Sequence, residues 1–367
     1  MNRRNFAKVL GGLAAGAALA AKASATAGTA RPPRVIATEE AFATPRQVAQ
    51  MRALGASDSH DADLDLWRSL TGDGPFGKVL LPRLLDIEQG RLAEMDRFGI
   101  DMHVLSLTAP GVQMFAPDKA AEIAIAANDV LHGAITRHPT RFAGLATIPP
   151  QNVPAAVAEM ERARTKLGLN GFIINSHTNG EYLDDPKFWP IFEAAEALDT
   201  AIYIHPRAPS PEMVTPFRAH RLEAALWGYQ AEVGLHAVRL IMAGVFDRFP
   251  RLQIVLGHAG EGVPYWLTRL DGRTIARQAM VPNTLKQLPS AYFRSNFTVT
   301  TSGMFSPEVL RYCLEVLGPE RVMFAIDYPY EKTGHAADFV KAMDIAEPTR
   351  RLVLEQNAAR LFHIDLA

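Results

Sequence analysis

Five places in the sequence carry histidine or carboxylate side chains at the end of a short apolar segment. Imidazole and carboxylate groups are the usual protein ligands of divalent metal ions. If the apolar segments are strands whose ends meet, these side chains form one metal site able to act on a small molecule. The groups are Glu39-Glu40, Asn175-Ser176-His177, His205, His258 with Glu261, and Asp327.

The apolar segments recur in a regular alternation with helical patterns. Between most of them apolar residues lie three and four positions apart, which predicts helices over 117–138, 153–168 and 307–318. Parallel strands need such crossovers, so eight strand–helix units predict an α/β fold, a closed (β/α)8 TIM barrel with its active site at the carboxyl ends of the strands. An open doubly wound sheet is the alternative, but no glycine-rich phosphate loop follows any strand. The predicted strands are 34–38, 102–107, 142–148, 171–175, 201–206, 252–260, 296–301 and 322–329.

Residues 46–95 interrupt the alternation. This stretch is polar and acidic, which predicts an insertion after strand 1 on the active-site side, a candidate lid. His60 and the neighbouring aspartates resemble a metal-binding cluster. A solvated loop is the favoured interpretation, because these residues follow no strand and lack a fixed ligand spacing.

The bulk composition restricts the class of ligand. The chain has 367 residues, 48% hydrophobic and 21% charged, with a net charge of -1. This balance excludes a nucleic-acid footprint and a polybasic membrane surface, and it favours a small-molecule ligand. The single cysteine, Cys313, excludes a disulfide framework and a cysteine metal cluster, and it reads as a small core residue.

The first 30 residues predict export. Arg3-Arg4 with Phe6 precede a weakly apolar stretch rich in glycine and alanine, and small residues of the A-x-A type follow. This pattern is typical of a twin-arginine signal peptide over 1–30, with 31–367 as a periplasmic protein that has no membrane contact after cleavage. A basic amphipathic tail is the alternative interpretation.

A family resemblance adds to these patterns. From about residue 34 to residue 365 the chain resembles the amidohydrolase superfamily in its decarboxylase branch. The branch includes 2,3-dihydroxybenzoate, γ-resorcylate and aminocarboxymuconate-semialdehyde decarboxylases. The motifs that carry the resemblance, in this order, are ATEEAFATP, IYIHP, LGHAGEGVPYWLTRLD, YFRSNFTVTTSGMF and FAIDYPYE.

The resemblance implies roles for the strand-end residues. Glu39, His205 and Asp327 would ligate the metal ion. His258, backed by Glu261, would be a catalytic histidine, and Asp327 would also be the proton donor. Adjacent strand residues point to opposite faces, so Glu40 is expected to be a structural partner rather than a ligand.

Two departures from the superfamily pattern predict a single metal ion. The second histidine of the strand-1 H-x-H motif is replaced by Ala41, and the strand-4 segment 171–177 has no lysine to bridge two metals. Two carboxylates and one imidazole favour Mn²⁺ or Mg²⁺, with Zn²⁺ as the alternative.

The implied activity is non-oxidative decarboxylation. One cation can chelate the carboxylate and an ortho hydroxyl of an aromatic acid, and protonation of the ring carbon then releases CO₂. By the same resemblance, Arg269 would lie near the substrate or a subunit interface, Phe297 would line the pocket, and the chain would form a homodimer or homotetramer.

Two rival functions stay open from the sequence. The first is a hydrolase that attacks a lactone, ester or amide with metal-bound water, using Asp327 as base. The E-E-x-F start and the DYPYE motif favour the decarboxylase, whereas the predicted export favours this rival. The second is a binding protein without metal, which the presence of Glu39, His205, His258 and Asp327 disfavours.

Overall fold

Eight parallel strands form the centre of the molecule. The computed structural model describes residues 31–366 except 58, 60, 279, 282 and 283. Within these residues the strands pair in chain order, each with the next. They are β1 Ile36–Phe42, β2 Met102–Leu107, β3 Phe142–Thr147, β4 Gly171–Asn175, β5 Ile202–His205, β6 Ile254–Leu256, β7 Phe297–Thr300 and β8 Val322–Met323.

The residues that directly follow β8 pair with β1 and close the sheet. The Thr38 amide donates to the Phe324 carbonyl at 3.1 Å, and the Asp327 amide donates to the Glu39 carbonyl at 3.1 Å. We call this pairing of residues 38–41 with residues 324–328 the β1–β8 seam. The closed, all-parallel arrangement confirms the predicted (β/α)8 barrel.

Helices follow the strands and cover the outside of the barrel. The three predicted helices are present as Pro117–Arg137, Val153–Thr165 and Pro307–Leu317, each with proline in its first turn, where the missing amide proton costs no hydrogen bond. The other α-helices are Pro45–Gly55, Asp63–Thr71, Pro75–Leu85, Gln89–Phe98, Trp189–Ala197, Thr215–Arg218, Gly228–Met242, Val245–Arg248, Val263–Gln278, Pro289–Asn296, Thr333–Ala342, Glu347–Arg351 and Asn357–Leu361. His258–Glu261 forms a left-handed turn. Short 3-10 turns occupy Pro186–Phe188 and Pro319–Arg321, and a π-helical turn occupies Leu352–Gln356.

Strand residues alternate between two hydrophobic clusters. Residues such as Val104, Ile173 and Val255 fill the barrel interior, which is closed at one end by Leu361 and Phe362. Their strand neighbours face the helices and pack in the larger outer cluster. Since the amino ends of the strands are filled with apolar side chains, the inward-facing polar residues of the carboxyl ends are left to form the site.

The insertion after β1 is helical. Four helices occupy 45–98, and Trp67 donates its indole proton to the Ala109 carbonyl at 3.0 Å, which anchors the insertion to the loop after β2. The solvated-loop interpretation is wrong for Asp63, which is 2% exposed and pairs with the buried Arg207. His60 lies outside the described residues, and the role of the insertion as a lid stays a prediction.

The predicted signal peptide, residues 1–30, also lies outside the described residues. Twin-arginine export and a periplasmic location therefore stay predictions. Within the described part of the chain, no helix combines the length and apolar character needed to cross a bilayer.

Candidate metal centre

Three side chains from three strand ends meet at the carboxyl end of the barrel. One ligand atom each from Glu39, His205 and Asp327 lie within 4.8 Å of one another, the one such group found among the described residues. The His205 Nε2 and Glu39 Oε1 atoms are 3.5 Å apart. Glu39 lies within β1 rather than after it, because β1 continues to Phe42. The structure thus brings together the three residues predicted to be metal ligands.

A backbone contact fixes the orientation of the His205 ring. Its Nδ1 atom lies 2.7 Å from the carbonyl oxygen of Pro206, so Nδ1 carries the proton and donates it. The lone pair of Nε2 then faces Glu39 and Asp327, as metal ligation requires.

The two carboxylate oxygens of Glu39 have different surroundings. Oε2 accepts hydrogen bonds from the hydroxyls of Tyr203, Thr300 and Ser302. Oε1 is buried and has no hydrogen-bond partner among the described residues. Burial opposes ionisation of Glu39, but the imidazoles of His258 and His205 and the hydroxyl donors outweigh it and lower its pKa. The result is a buried carboxylate with one unsatisfied oxygen, which is the arrangement that a cation would stabilise.

Glu40 points away from the site into the β1–β8 seam. Its carboxylate accepts hydrogen bonds from the backbone amides of Ile326 at 2.9 Å and Tyr328 at 3.0 Å. Burial raises the pKa of Glu40 to about 8, against the effect of these hydrogen bonds. Glu40 therefore occupies the structural position expected from strand alternation.

His258 and Glu261 are joined by an unusual turn. His258, Ala259, Gly260, Glu261 and Gly262 all have positive φ, from 48° to 78°. This left-handed turn, rare for residues with a side chain, sets the His258 Nδ1 atom 2.8 Å from Glu261 Oε1.

The Nε2 edge of the His258 ring points toward the metal centre. Its Nε2 atom lies 3.7 Å from Asp327 Oδ2 and 3.9 Å from Glu39 Oε1. Burial opposes protonation of His258, but the charges of Glu261 and Glu39 outweigh it and hold its pKa well above the ordinary range. His258 is thus placed to exchange a proton with Asp327.

Asp327 is placed both to ligate a metal ion and to carry a proton. Burial raises the pKa of Asp327 to about 6, with the charge of Glu39 adding to the effect and His258 opposing it. Its backbone φ is 74°, and its amide is tied to β1 across the seam. A carboxyl group with a raised pKa takes up a proton more readily than a free aspartate, and the neighbouring imidazole can supply that proton.

The two residues predicted to contact substrate do not lie at this centre. Phe297 is the first residue of β7 and stacks on Phe293 at 4.6 Å, so the prediction that it lines the pocket is wrong. Its side chain faces the helical layer because the strand alternation turns Thr298 and Thr300 inward instead. Arg269 lies exposed on the outer helix Val263–Gln278, so its predicted role near the substrate is not supported within this chain.

Sequence reasoning missed the hydroxyl residues around Glu39. Tyr203 lies in β5, two residues before His205, and Thr300 and Ser302 lie in the segment TVTTS at the end of β7. The sequence signal that could have identified them is the hydroxyl residue at every second position of this buried strand, because residues two apart point to the same face.

Arg207 holds the loop after β5 against the insertion. Its Nε atom lies 2.7 Å from Asp63 Oδ2, and its Nη2 atom lies 3.2 Å from Asp61 Oδ2. Burial opposes the charge of Arg207, but the Asp63 and Asp61 carboxylates outweigh it and raise its pKa. The pair links the insertion to the loop that begins directly after His205.

One protein family model and several decarboxylases match this sequence. The Amidohydrolase family model matches residues 60–364. The γ-resorcylate decarboxylase of Rhizobium radiobacter is 40% identical over 301 residues, which cover 80% of this chain and 92% of that protein. The γ-resorcylate decarboxylase of Rhodococcus jostii is 39% identical over 303 residues, with the same coverage of 80% and 92%.

Solved structures extend the similarity to the whole barrel. The 5-carboxyvanillate decarboxylase of Sphingomonas paucimobilis has a TM-score of 0.88 and 49% identity, covering 90% of this chain and 99% of that one. The 5-carboxyvanillate decarboxylase of Novosphingobium aromaticivorans, complexed with manganese and 4-hydroxy-3-methoxy-5-nitrobenzoic acid, has a TM-score of 0.86 and 38% identity, covering 90% and 96%.

Proposed function

The chain belongs to the amidohydrolase family, in its decarboxylase branch, and we propose that it catalyses the metal-dependent, non-oxidative decarboxylation of an ortho-hydroxy aromatic carboxylic acid. The enzyme is then a carboxy-lyase. The observation that carries the proposal is the convergence of Glu39, His205 and Asp327 beside His258 at the carboxyl end of the barrel. The relatives at 37–40% identity are decarboxylases, so the hydrolase alternative is set aside.

The residues present fit one divalent cation. Glu39 Oε1, His205 Nε2 and an oxygen of Asp327 would hold it, and a single imidazole beside two carboxylates favours Mn²⁺ or Mg²⁺ over Zn²⁺. Manganese in related decarboxylase structures supports Mn²⁺ as the ion. When bound, the cation supplies the charge that holds the carboxylate and the ortho hydroxyl oxygen of the acid.

Asp327 is the proposed proton donor. It gives its proton to the ring carbon that bears the carboxylate, and the bond from that carbon to the carboxylate carbon then breaks. CO₂ leaves, and the electron pair of the broken bond restores the aromatic ring. Burial and the Glu39 charge favour the protonated form that this step needs.

His258 is the proposed route by which Asp327 regains a proton. Its Nε2 atom lies 3.7 Å from Asp327 Oδ2, and its Nδ1 atom is held by Glu261. This contact fixes the ring so that Nε2 faces the reacting carboxyl group.

The test uses the Mn²⁺-loaded protein with 2,6-dihydroxybenzoate, 5-carboxyvanillate and salicylate. We expect CO₂ release from at least one acid, loss of activity with a chelator and recovery on adding Mn²⁺. Asp327→Asn should lower kcat by at least ~100-fold, the usual contribution of a positioned acid. Asp338→Asn is the matched control, since that side chain is 77% exposed and pairs only with Lys341 in the described structure. Hydrolysis of a lactone or ester without CO₂ release would contradict the proposal, and a protein that binds no metal would favour a binding role.

Location and assembly are separate proposals. Export is tested by Arg3→Lys with Arg4→Lys, which should leave the protein in the cytoplasmic fraction. A homodimer or homotetramer is supported by the exposed side chains of Tyr265 and Trp266, which are 70% and 53% accessible next to Arg269. Light scattering of the purified protein measures the assembly directly.

A further inference from the structure

We propose that Tyr203, Thr300 and Ser302 are positioning residues that hold Glu39 as a one-oxygen metal ligand, with Oε1 as the binding atom. The inference rests on the proposed metal centre and adds which atom of Glu39 binds and what prevents the other from binding. We call the three hydroxyls the Oε2 cage.

The cage surrounds a single oxygen. Thr300 Oγ1 lies 3.0 Å from Glu39 Oε2, and the hydroxyls of Tyr203 and Ser302 donate to the same atom. The three hydroxyls also contact one another, with Thr300 Oγ1 3.2 Å from Tyr203 Oη and 3.0 Å from Ser302 Oγ. All three residues are fully buried. Since their donors use the acceptor capacity of Oε2, only Oε1 is left for a cation.

A glycine leaves room for the carboxylate. A Cβ atom at Gly257 would lie 2.8 Å from both Oε1 and Oε2 of Glu39. The backbone of Gly257 has φ -68°, which any residue adopts, so the glycine is required for space rather than for conformation. The strand end after β6 is therefore shaped around the Glu39 side chain.

Ser302 also connects the cage to the catalytic histidine. Its Oγ accepts a hydrogen bond from the His258 amide at 3.0 Å while its own proton goes to Glu39 Oε2. One hydroxyl thus fixes both the start of the left-handed turn that carries His258 and the proposed metal ligand.

One-oxygen binding by Glu39 determines how many coordination positions on the metal ion stay open. Mn²⁺ and Mg²⁺ prefer about six oxygen or nitrogen ligands. Three single-atom protein ligands leave positions for the two oxygens of an ortho-hydroxy acid. A Glu39 that bound through both oxygens would take one of the three remaining positions and leave only the two that the acid itself needs, so the cage keeps one further position open.

The test measures Mn²⁺ affinity by the electron paramagnetic resonance signal of free Mn²⁺ in titrations of the full chain. The variants are Tyr203→Phe and Thr300→Val, which remove one hydroxyl each and keep the shape of the side chain. Thr298→Val is the matched control, because Thr298 is a buried, inward-facing β7 residue whose hydroxyl has no partner among the described residues. Thermal unfolding of each variant without metal checks that the fold is intact.

We expect the Mn²⁺ dissociation constant to rise by about 10-fold or more in Tyr203→Phe and Thr300→Val and to change less than about 2-fold in Thr298→Val. Gly257→Ala, which moves the carboxylate itself, should weaken binding at least as much as either. If both hydroxyl variants bind Mn²⁺ as tightly as the wild type, the proposed role of the Oε2 cage is wrong. If the wild-type chain itself binds no Mn²⁺, the proposed function is wrong instead. If one hydroxyl variant does not fold, the other decides the result.

Discussion

The buried ion pair between Asp63 and Arg207 gives a sharp quantitative prediction. In the native chain the Ala208 amide donates to Asp63 Oδ1 at 2.9 Å, and Arg207 Nε lies 2.7 Å from Asp63 Oδ2. Asp63→Asn keeps the side-chain size and an acceptor for the Ala208 amide, but it removes the negative charge beside Arg207. Both side chains are 1% exposed, so water cannot replace the lost partner. Breaking such a pair costs about 3–5 kcal/mol. Asp61 remains near Arg207 and is 27% exposed, so we expect the low end, about 3 kcal/mol.

The assay is urea denaturation of the metal-free chain at pH 7, followed by far-ultraviolet circular dichroism. Asp65→Asn is the matched control in the same helix, because its pair with Arg68 is 62% and 39% exposed. It should cost less than about 1 kcal/mol. The double variant Asp63→Leu with Arg207→Met, which removes both charges, should be less destabilised than Asp63→Asn. Equal free energies of unfolding for Asp63→Asn and Asp65→Asn would refute the reasoning.

Two further predictions concern His236 and His258. Burial and Arg239 lower the pKa of His236 to about 3, below the unfolded value near 6.5. The stability linked to His236 is therefore complete above pH 6.5 and is lost as the pH falls toward 3. In His236→Gln the slope of unfolding free energy against pH between 6 and 4 should fall by about 1.4 kcal/mol per unit, and parallel curves from urea denaturation would contradict this. Glu261→Gln keeps an acceptor for His258 but removes the charge, so kcat from CO₂ release should fall about 10- to 100-fold with KM little changed; an unchanged kcat would remove Glu261 from the mechanism.

The regular parts of the fold were predictable because their signals are local. The helix expected over 117–138 is Pro117–Arg137, since its apolar spacing and its opening proline both lie within the segment. The strand expected at 34–38 instead runs Ile36–Phe42. Glu39 and Glu40 resemble loop residues because the groups that satisfy them lie near the other end of the chain, in Ser302 and Ile326.

The strand-end residues of the site were predictable from the sequence, but the residues that hold them in place were not. His205 ends a strand and His258 and Asp327 follow strands, so the barrel topology alone brings them to one end. Phe297 was misplaced because its inward or outward direction depends on strand register, which the outer packing on Phe293 decides. The burial of Asp63 depends on a partner that comes far later in the chain, which no local pattern records.

The β1–β8 seam also links ion binding to closure of the barrel. Glu39 and Asp327 lie on opposite sides of the β1–β8 seam, so a chain in which this seam is open does not hold the complete ion-binding set. Loading must follow closure, and a bound ion then opposes reopening, by about 2.7 kcal/mol when its free concentration is 100 times the dissociation constant. The ion would hold the two sides of the β1–β8 seam together. Loss of the ion is therefore expected to increase hydrogen exchange and proteolysis at the β1–β8 seam.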